Sequence, residues 1–390
     1  MSHPPVESSQ REALLEAVRA LGPMVTAAAE EIESGRRLPL RIVEAMKQAG
    51  VFRMPMPREW GGPENDPLTQ IEVIEELSYQ NGSVGWCAMI GSDGGYFSAR
   101  MDQDVSREMY ADLDAITGGA VAPLGRAVAV AGGYRVTGRW PFGSGCQHST
   151  WMSSGCFVYD GETPRVEESG RPTYVACFLP GEACEILDTW HTTGLRGSGS
   201  HDYAVDGLFV PEERTFSHFT TASRRESPLY RFPMMFLCNQ AAVPLGLARA
   251  ALDEVLRIVE SKKNTLSGGS MREDPLVQAA LSREDARIGA ARNHLMAVMG
   301  DFWATLCNGN DPTLAQRARF RSSIVYAHEQ SVEAVGNLYG MAGSAALYSG
   351  SVLDRCLRDI RTLNQHIVAS PAVYAATGKM LLGMNPPPGY

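Results

Sequence analysis

The chain has 390 residues, 44% of them hydrophobic and 20% charged, which is enough apolar material for a large core without disulfide staples or structural metals. Its net charge of −9 has no compensating basic block beyond pairs such as Arg36-Arg37, Arg224-Arg225 and Lys262-Lys263, which argues against nucleic acid as a partner. No run approaches the roughly 18 apolar residues of a membrane helix, the start MSHPPVESSQRE has no secretion signal, and eight scattered cysteines show no zinc spacing, so the expectation is a cytoplasmic protein with idle thiols and no metal.

Taken in order, Ser9-Gln10-Arg11-Glu12 reads as a capping box. Leu14, Leu15, Val18, Leu21, Val25, Ala28 and Ile32 follow it at helical spacing as far as Ser34-Gly35. A second helix is expected from Pro39 to Gly50. The proline- and glycine-rich stretch VFRMPMPREWGGP is then an ordered loop with Trp60 available for packing. Helices over Pro67–Gln80 and Val84–Met101 complete a helical domain, 1–115, the last of them small and apolar enough to sit inside a bundle.

From about Ile116 the apolar period falls to two and turn residues recur, which marks a middle β-domain, 116–220. Its expected strands are Ala127–Ala131, Tyr134–Trp140, Trp151–Tyr159, Tyr174–Leu179, Cys184–Asp188 and Asp202–Val210. Gly132-Gly133 makes the first pair a hairpin. Its second arm runs into Trp140-Pro141-Phe142-Gly143-Ser144-Gly145, where pairing is expected to stop, because Pro141 lacks an N–H and the glycines bare the backbone. Such a strand end offers an aromatic, a hydroxyl and free amides to a flat polar ring; the plain alternative is a strand that runs out into a loop. The glycine-rich run TWHTTGLRGSGSHDY has no strand-then-helix context, so it reads as a polar connection and not as a dinucleotide fingerprint.

After Pro211 the helical period returns and defines a C-terminal bundle, 221–390. One long helix starts near Val243. Asp274-Pro275 and Asp311-Pro312 give start signals for two more, and Ser370-Pro371 for the last, which ends before the tail NPPPGY. The class is α+β, mainly α.

This order of elements, together with QAGVFRMPMPREWGG, the W-x-F-x-S-G hairpin end, G-L-R-G-S-G-S before VDGLFVPEE, RAALDEVLRIVESKK and LDRCLRDIRTLNQH, resembles the acyl-CoA dehydrogenase fold along nearly the whole chain. The resemblance implies an N-terminal helical domain, a β-barrel-like middle domain and a C-terminal four-helix bundle, with a flavin between the last two and usually a homotetramer. Dehydrogenases of the family commonly carry a glutamate base just after an R-D segment. Here Arg358-Asp359 is followed by Leu363-Asn364-Gln365-His366-Ile367, without a carboxylate, and the second dehydrogenase position for a base, around Val243 to Gly246, is apolar.

A histidine there, with W-P-F-x-S-G, is similar to the two-component flavin monooxygenases built on this fold, which hydroxylate aromatic substrates through a C4a-hydroperoxyflavin. Those enzymes take reduced flavin, FMN or FAD, from a separate reductase and use O2 as co-substrate. The resemblance implies catalytic roles for His366 and Ser144, with Ser144 near flavin N5, and flavin binding by Trp140, Phe142, Ser144, Gly145 and Lys262. The altered run Lys262-Lys263-Asn264-Thr265 leaves FMN and FAD equally open. For the substrate it suggests Trp86, Asp93, Tyr96 and His366, with Phe219 and the region from Leu229 to Phe236 nearby. Two rivals stand beside this reading, a dehydrogenase with an atypical base and a catalytically silent binding protein.

Overall fold

The computed structural model describes residues 8–262 and 269–385; the first residues of the N-terminus, Lys263-Asn264-Thr265 and the prolines of the tail lie outside them. The N-terminal helices are α1 (Ser8–Arg19), α2 (Gly22–Ala27), α3 (Ala29–Gly35), α4 (Leu40–Ala49), α5 (Pro67–Gln80), α6 (Gly82–Gly91), α7 (Gly94–Ser98) and α8 (Gln103–Met109). Two stretches expected as single helices are broken. The first splits at Gly22-Pro23, where Pro23 lacks the N–H that a continuing helix needs, and the apolar second-domain helix stops at Gly91 and restarts at Gly94. Asp66 caps α5 through Oδ1, which accepts from the amides of Leu68 at 2.9 Å and Thr69 at 3.0 Å.

The middle strands are β1 (Thr117–Val130), β2 (Gly133–Gly143), β3 (Trp151–Asp160), β4 (Thr163–Pro164), β5 (Tyr174–Pro180), β6 (Glu185–Leu187), β7 (His201–Pro211) and β8 (Thr215–Phe216), in the order β6-β7-β2-β1-β3-β5-β8 with β4 paired to β3. Each pairing is antiparallel except β1 with β3. The sheet wraps a core of its own built on Val136, Trp140, Met152, Cys156, Leu179 and Tyr203. Pairing of β2 with β7 does not end at Pro141, contrary to expectation. It bulges between Trp140 and Gly143, with Phe142 at φ +64°, and resumes at Gly143 opposite His201. The bulge absorbs the proline and throws Phe142 outward.

The bundle comprises α9 (Pro228–Arg231), α10 (Ala242–Ser261), α11 (Pro275–Cys307), α12 (Leu314–Ala342), α13 (Val352–Leu363) and α14 (Ala372–Leu381). Asp274 caps α11 as its sequence suggests, but α12 starts later than Asp311-Pro312, on a capping box formed by Thr313 and Gln316. Helix α10 packs on both α5 and α12, so one apolar core runs continuously through the two helical layers. Counted by length and hydropathy, Met235–Glu260 does reach a membrane helix's composition, unlike the sequence expectation; 94% of its most apolar window is buried inside the protein, as for a core helix.

The R-D segment locks these layers to the glycine-rich connection. Asp359 is fully buried and its Oδ1 accepts from the Leu195 amide at 2.6 Å, while a side chain on Gly194 would collide with the Arg358 carbonyl. Asp359 Oδ2 has no partner, and burial pushes the acid up to about 7. An acid whose folded value is raised gives its full stability below its unfolded value and loses it as pH rises through the folded one, here from about 4 to about 7. Asp359→Asn, which keeps the acceptor and removes the charge, is expected to melt above the wild type at pH 8 and to match it near pH 4. Thermal unfolding across that range checks it; a variant that melts lower than wild type at pH 8 would show the carboxylate to be paired.

Candidate active site

Ser144, Trp86 and His366 come from three different parts of the chain and meet. Trp86, on α6, donates its Nε1–H to Ser144 Oγ at 2.8 Å, and its ring stands edge-on to the imidazole of His366 with centroids 5.3 Å apart. Trp86 therefore lies between the two residues that sequence similarity singles out for catalysis.

Ser144 is also the head of a hydroxyl chain. Its Oγ is 2.8 Å from Ser200 Oγ, Ser200 Oγ is 2.7 Å from Ser198 Oγ, and Ser198 Oγ donates to the Leu195 carbonyl at 2.7 Å. A carbonyl only accepts, so the proton of Ser198 is committed to it. The protons then run one way, from Trp86 to Ser144, Ser200, Ser198 and Leu195. Ser144 has spent its own proton and keeps one lone pair, so it meets a ligand as an acceptor. Ser198 and Ser200 were hidden in a run that reads as a polar connection; only its G-S-G-S alternation hinted at them. The loop is pinned further by the Gly145 amide, which donates to the Ser198 carbonyl at 2.9 Å.

His366 follows α13 and opens the short turn Ile367–Ala369, whose Val368 amide approaches its Nδ1 at 3.4 Å. With Nδ1 accepting, the neutral ring carries its proton on Nε2 and presents a donor. Burial pushes the imidazole down to about 4. Behind it on α12 lies His328, fully buried, with both ring nitrogens unpartnered and its value pushed down to about 3, first by burial and then by the field of His366.

The remaining sequence candidates fall in different places. Phe142 is 67% exposed and packs edge-on to Trp190 with centroids 6.3 Å apart, leaving its ring free beside the Ser144 loop. Trp140 is not beside it. Its indole is fully buried in the β-domain core, stacked on Tyr203 at 5.3 Å with Nε1 donating to the Gly155 carbonyl at 2.8 Å, because strand alternation turns it inward and the bulge turns Phe142 out. Lys262 ends α10 and donates from Nζ to the Ala342 carbonyl at 2.8 Å, closing the α12 terminus. Tyr96 gives its hydroxyl to Gln70 Oε1 at 3.0 Å. Asp93 is buried at the α6–α7 junction. Phe219, partly exposed, packs at a 58° tilt on Tyr174 with centroids 4.9 Å apart. Among the other histidines, His148 packs under Gly145, and His201 Nδ1 accepts from the Thr189 and Trp190 amides, each at 3.2 Å.

The chain matches the model of the acyl-CoA dehydrogenase N-terminal domain over residues 8–99 and that of the C-terminal domain over 238–371, together more than half of its length. It is 29% identical to an indole-3-acetate monooxygenase of Pseudomonas putida, covering 97% of this chain and 95% of that one. It is likewise 29% identical to the flavin-dependent monooxygenase oxygenase subunit HsaA of Mycobacterium tuberculosis, covering 98% of each. The solved structure of XiaF from Streptomyces sp., in complex with FADH2 and glycerol, superposes with a TM-score of 0.90 at 26% identity over 98% of both chains. With both terminal domains matched and the same three-part architecture in place, the chain belongs to the acyl-CoA dehydrogenase family.

Proposed function

We propose that the protein is the oxygenase component of a two-component flavin-dependent monooxygenase, which hydroxylates an aromatic or heteroaromatic small molecule with reduced flavin and O2. The observation that carries this reading is the junction of Ser144, Trp86 and His366, with Gln365-His366 standing where a dehydrogenase would place its glutamate. The monooxygenase relatives, similar over almost the full chain, support it.

The residues around the site suit a reduced flavin. A reduced isoalloxazine offers an N5–H, and Ser144 has one lone pair left to accept it. Phe142 supplies a free aromatic face on the same loop. Gln147 Oε1, three residues after Ser144, and Asn364 Oδ1, two before His366, are buried without a partner among the described residues, which suits a polar ligand nearby. When bound, the flavin supplies activation of oxygen. This chain's part is to hold the N5 proton at Ser144 Oγ, to exclude water with Trp86 and its apolar surroundings, and to orient the substrate through a hydrogen bond from the neutral His366 Nε2–H. A separate reductase supplies the reduced flavin.

The test is stopped-flow absorbance after anaerobic loading with reduced FMN or FAD and mixing with oxygenated buffer. The expected result is a transient distinct from both reduced and oxidised flavin, followed by product when an aromatic substrate is present. Direct return to oxidised flavin with every substrate, together with bleaching of oxidised flavin by an acyl-CoA, would replace this reading with a dehydrogenase. Exposed Leu276, Leu347, Tyr348, Leu381 and Leu382 support assembly into a homotetramer. Light scattering should give four chain masses, and a monomer would refute the assembly.

A further inference from the structure

Almost every side chain of α6 and α7 is sealed; Val84, Ala88 and Met89 within α6 and Ala99 just past α7 are 0% exposed. Trp86, Asp93 and Phe97 keep 6%, 7% and 6%, and Ile90 is half-buried. Ser92 and Asp93 keep right-handed helical backbone across the break between α6 and α7, so spacings of four, three and four residues put Trp86, Ile90, Asp93 and Phe97 along one side of the segment, as a stripe of residual exposure. It begins at Trp86, where Ser144 and His366 meet, and passes Asp93 seven residues on, about 10 Å along the helix direction.

Asp93 makes no side-chain hydrogen bond among the described residues, and its Oδ1 is buried without a partner. Its field reaches Tyr96, Tyr110 and Cys238, none of them a cation. The hydroxyls of Tyr96 and Tyr110 are already engaged, with Gln70 and Thr117, each at 3.0 Å. Arg100, the next residue along the same stripe, is turned to the carbonyls of Thr221 at 3.1 Å and Tyr230 at 3.2 Å. Next to Cys238, the amide of Asn239 is unpartnered at both ends. Buried polar groups are rarely left this way, and a ligand is the missing partner. Burial alone raises the Asp93 acid well above the ordinary carboxylate range, which favours its protonated form, able both to donate and to accept.

Resting on the oxygenase reading above, we propose that the substrate is a flat, roughly two-ring aromatic bearing a neutral hydroxyl or N–H group that Asp93 binds about 10 Å from Trp86, and that aromatic acids are rejected. A carboxylate at that end would be an anion buried beside the Asp93 carboxyl, where no cation's field reaches.

Isothermal titration of the protein in oxidised FAD with indole, 5-hydroxyindole and indole-5-carboxylate tests this. The hydroxyl compound should bind at least about tenfold more tightly than the carboxylate. In Asp93→Ala the advantage of 5-hydroxyindole over indole should collapse to near one, while Asp93→Asn, which still donates and accepts, should retain it. A carboxylate bound as tightly as the hydroxyl by the wild type, or an advantage that survives in Asp93→Ala, overturns the proposal. The stopped-flow experiment with oxygen separates the two levels. A transient together with unselective binding removes only the role of Asp93, whereas failure to form one with any ligand removes the oxygenase reading and this proposal with it.

Discussion

His366→Ala should keep its flavin and still consume oxygen, but lower hydroxylated product by about a hundredfold and release hydrogen peroxide in its place. The imidazole stands against Trp86, and alanine leaves no ring N–H there to orient the substrate by a hydrogen bond. Because burial holds the ring down to about 4, it is neutral from pH 5.5 upward, so the ratio of product to oxygen consumed in the wild type should not titrate with His366 between pH 5.5 and 8. The same shift has a stability consequence. A base held neutral by burial contributes stability above its unfolded value, and loses it as pH falls from about 6.5 toward 4. The alanine variant should therefore lose less stability than the wild type over that interval. Product and oxygen measured together decide the catalytic claim; a coupling ratio equal to that of the wild type would take His366 out of the chemistry.

How much of this was legible in the sequence follows from the range of the interactions involved. Helix α5 starts and ends where its sequence places it, because its cap and its last turn are local. The strands likewise follow their period-two pattern, although β1 runs ten residues further toward the N-terminus than expected, its glycine- and alanine-rich start at Thr117 carrying no alternation to read. Where local signals competed, the reading failed. Pro141 argued for a strand end, but β7 on the other side holds β2 through the bulge, and that bulge is what separates buried Trp140 from exposed Phe142. The site shows the same division. Ser144 and His366 were found through motifs, and Trp86 through its aromatic character. The hydroxyl chain through Ser200 and Ser198 joins residues 56 and 2 apart in sequence, and no local pattern encodes such a contact. Asp93 was named only as a substrate residue suggested by the resemblance; the stripe of residual exposure around it is visible only once the helices are packed.

Trp86→Phe should uncouple the site without unfolding it. Phenylalanine keeps an aromatic ring against His366 but has no Nε1–H, so Ser144 loses the donor 2.8 Å away. Ser144 then has two lone pairs free and no fixed direction, and it can rotate away from Ser200, which breaks the one-way order of the chain. One buried hydrogen bond is worth about 1 kcal/mol, or about a factor of five in how firmly Ser144 is held. Product per oxygen should fall about fivefold, with peroxide making up the difference. Ser200→Ala attacks the same order from the other end, freeing the Ser144 proton so that the hydroxyl can turn donor toward a ring nitrogen that is itself a donor. Its loss of coupling should be similar, and the double variant should lose little more than either alone, because both act through one hydroxyl. Trp86→Ala is the wrong probe, since emptying a buried indole costs about 3–5 kcal/mol and would mix destabilisation with chemistry. Coupling ratios for the two single variants and the double variant, each checked for flavin binding and melting temperature, settle it. Fully additive losses would mean that Trp86 and Ser200 act on the reaction independently and that Ser144 is not the group through which they work.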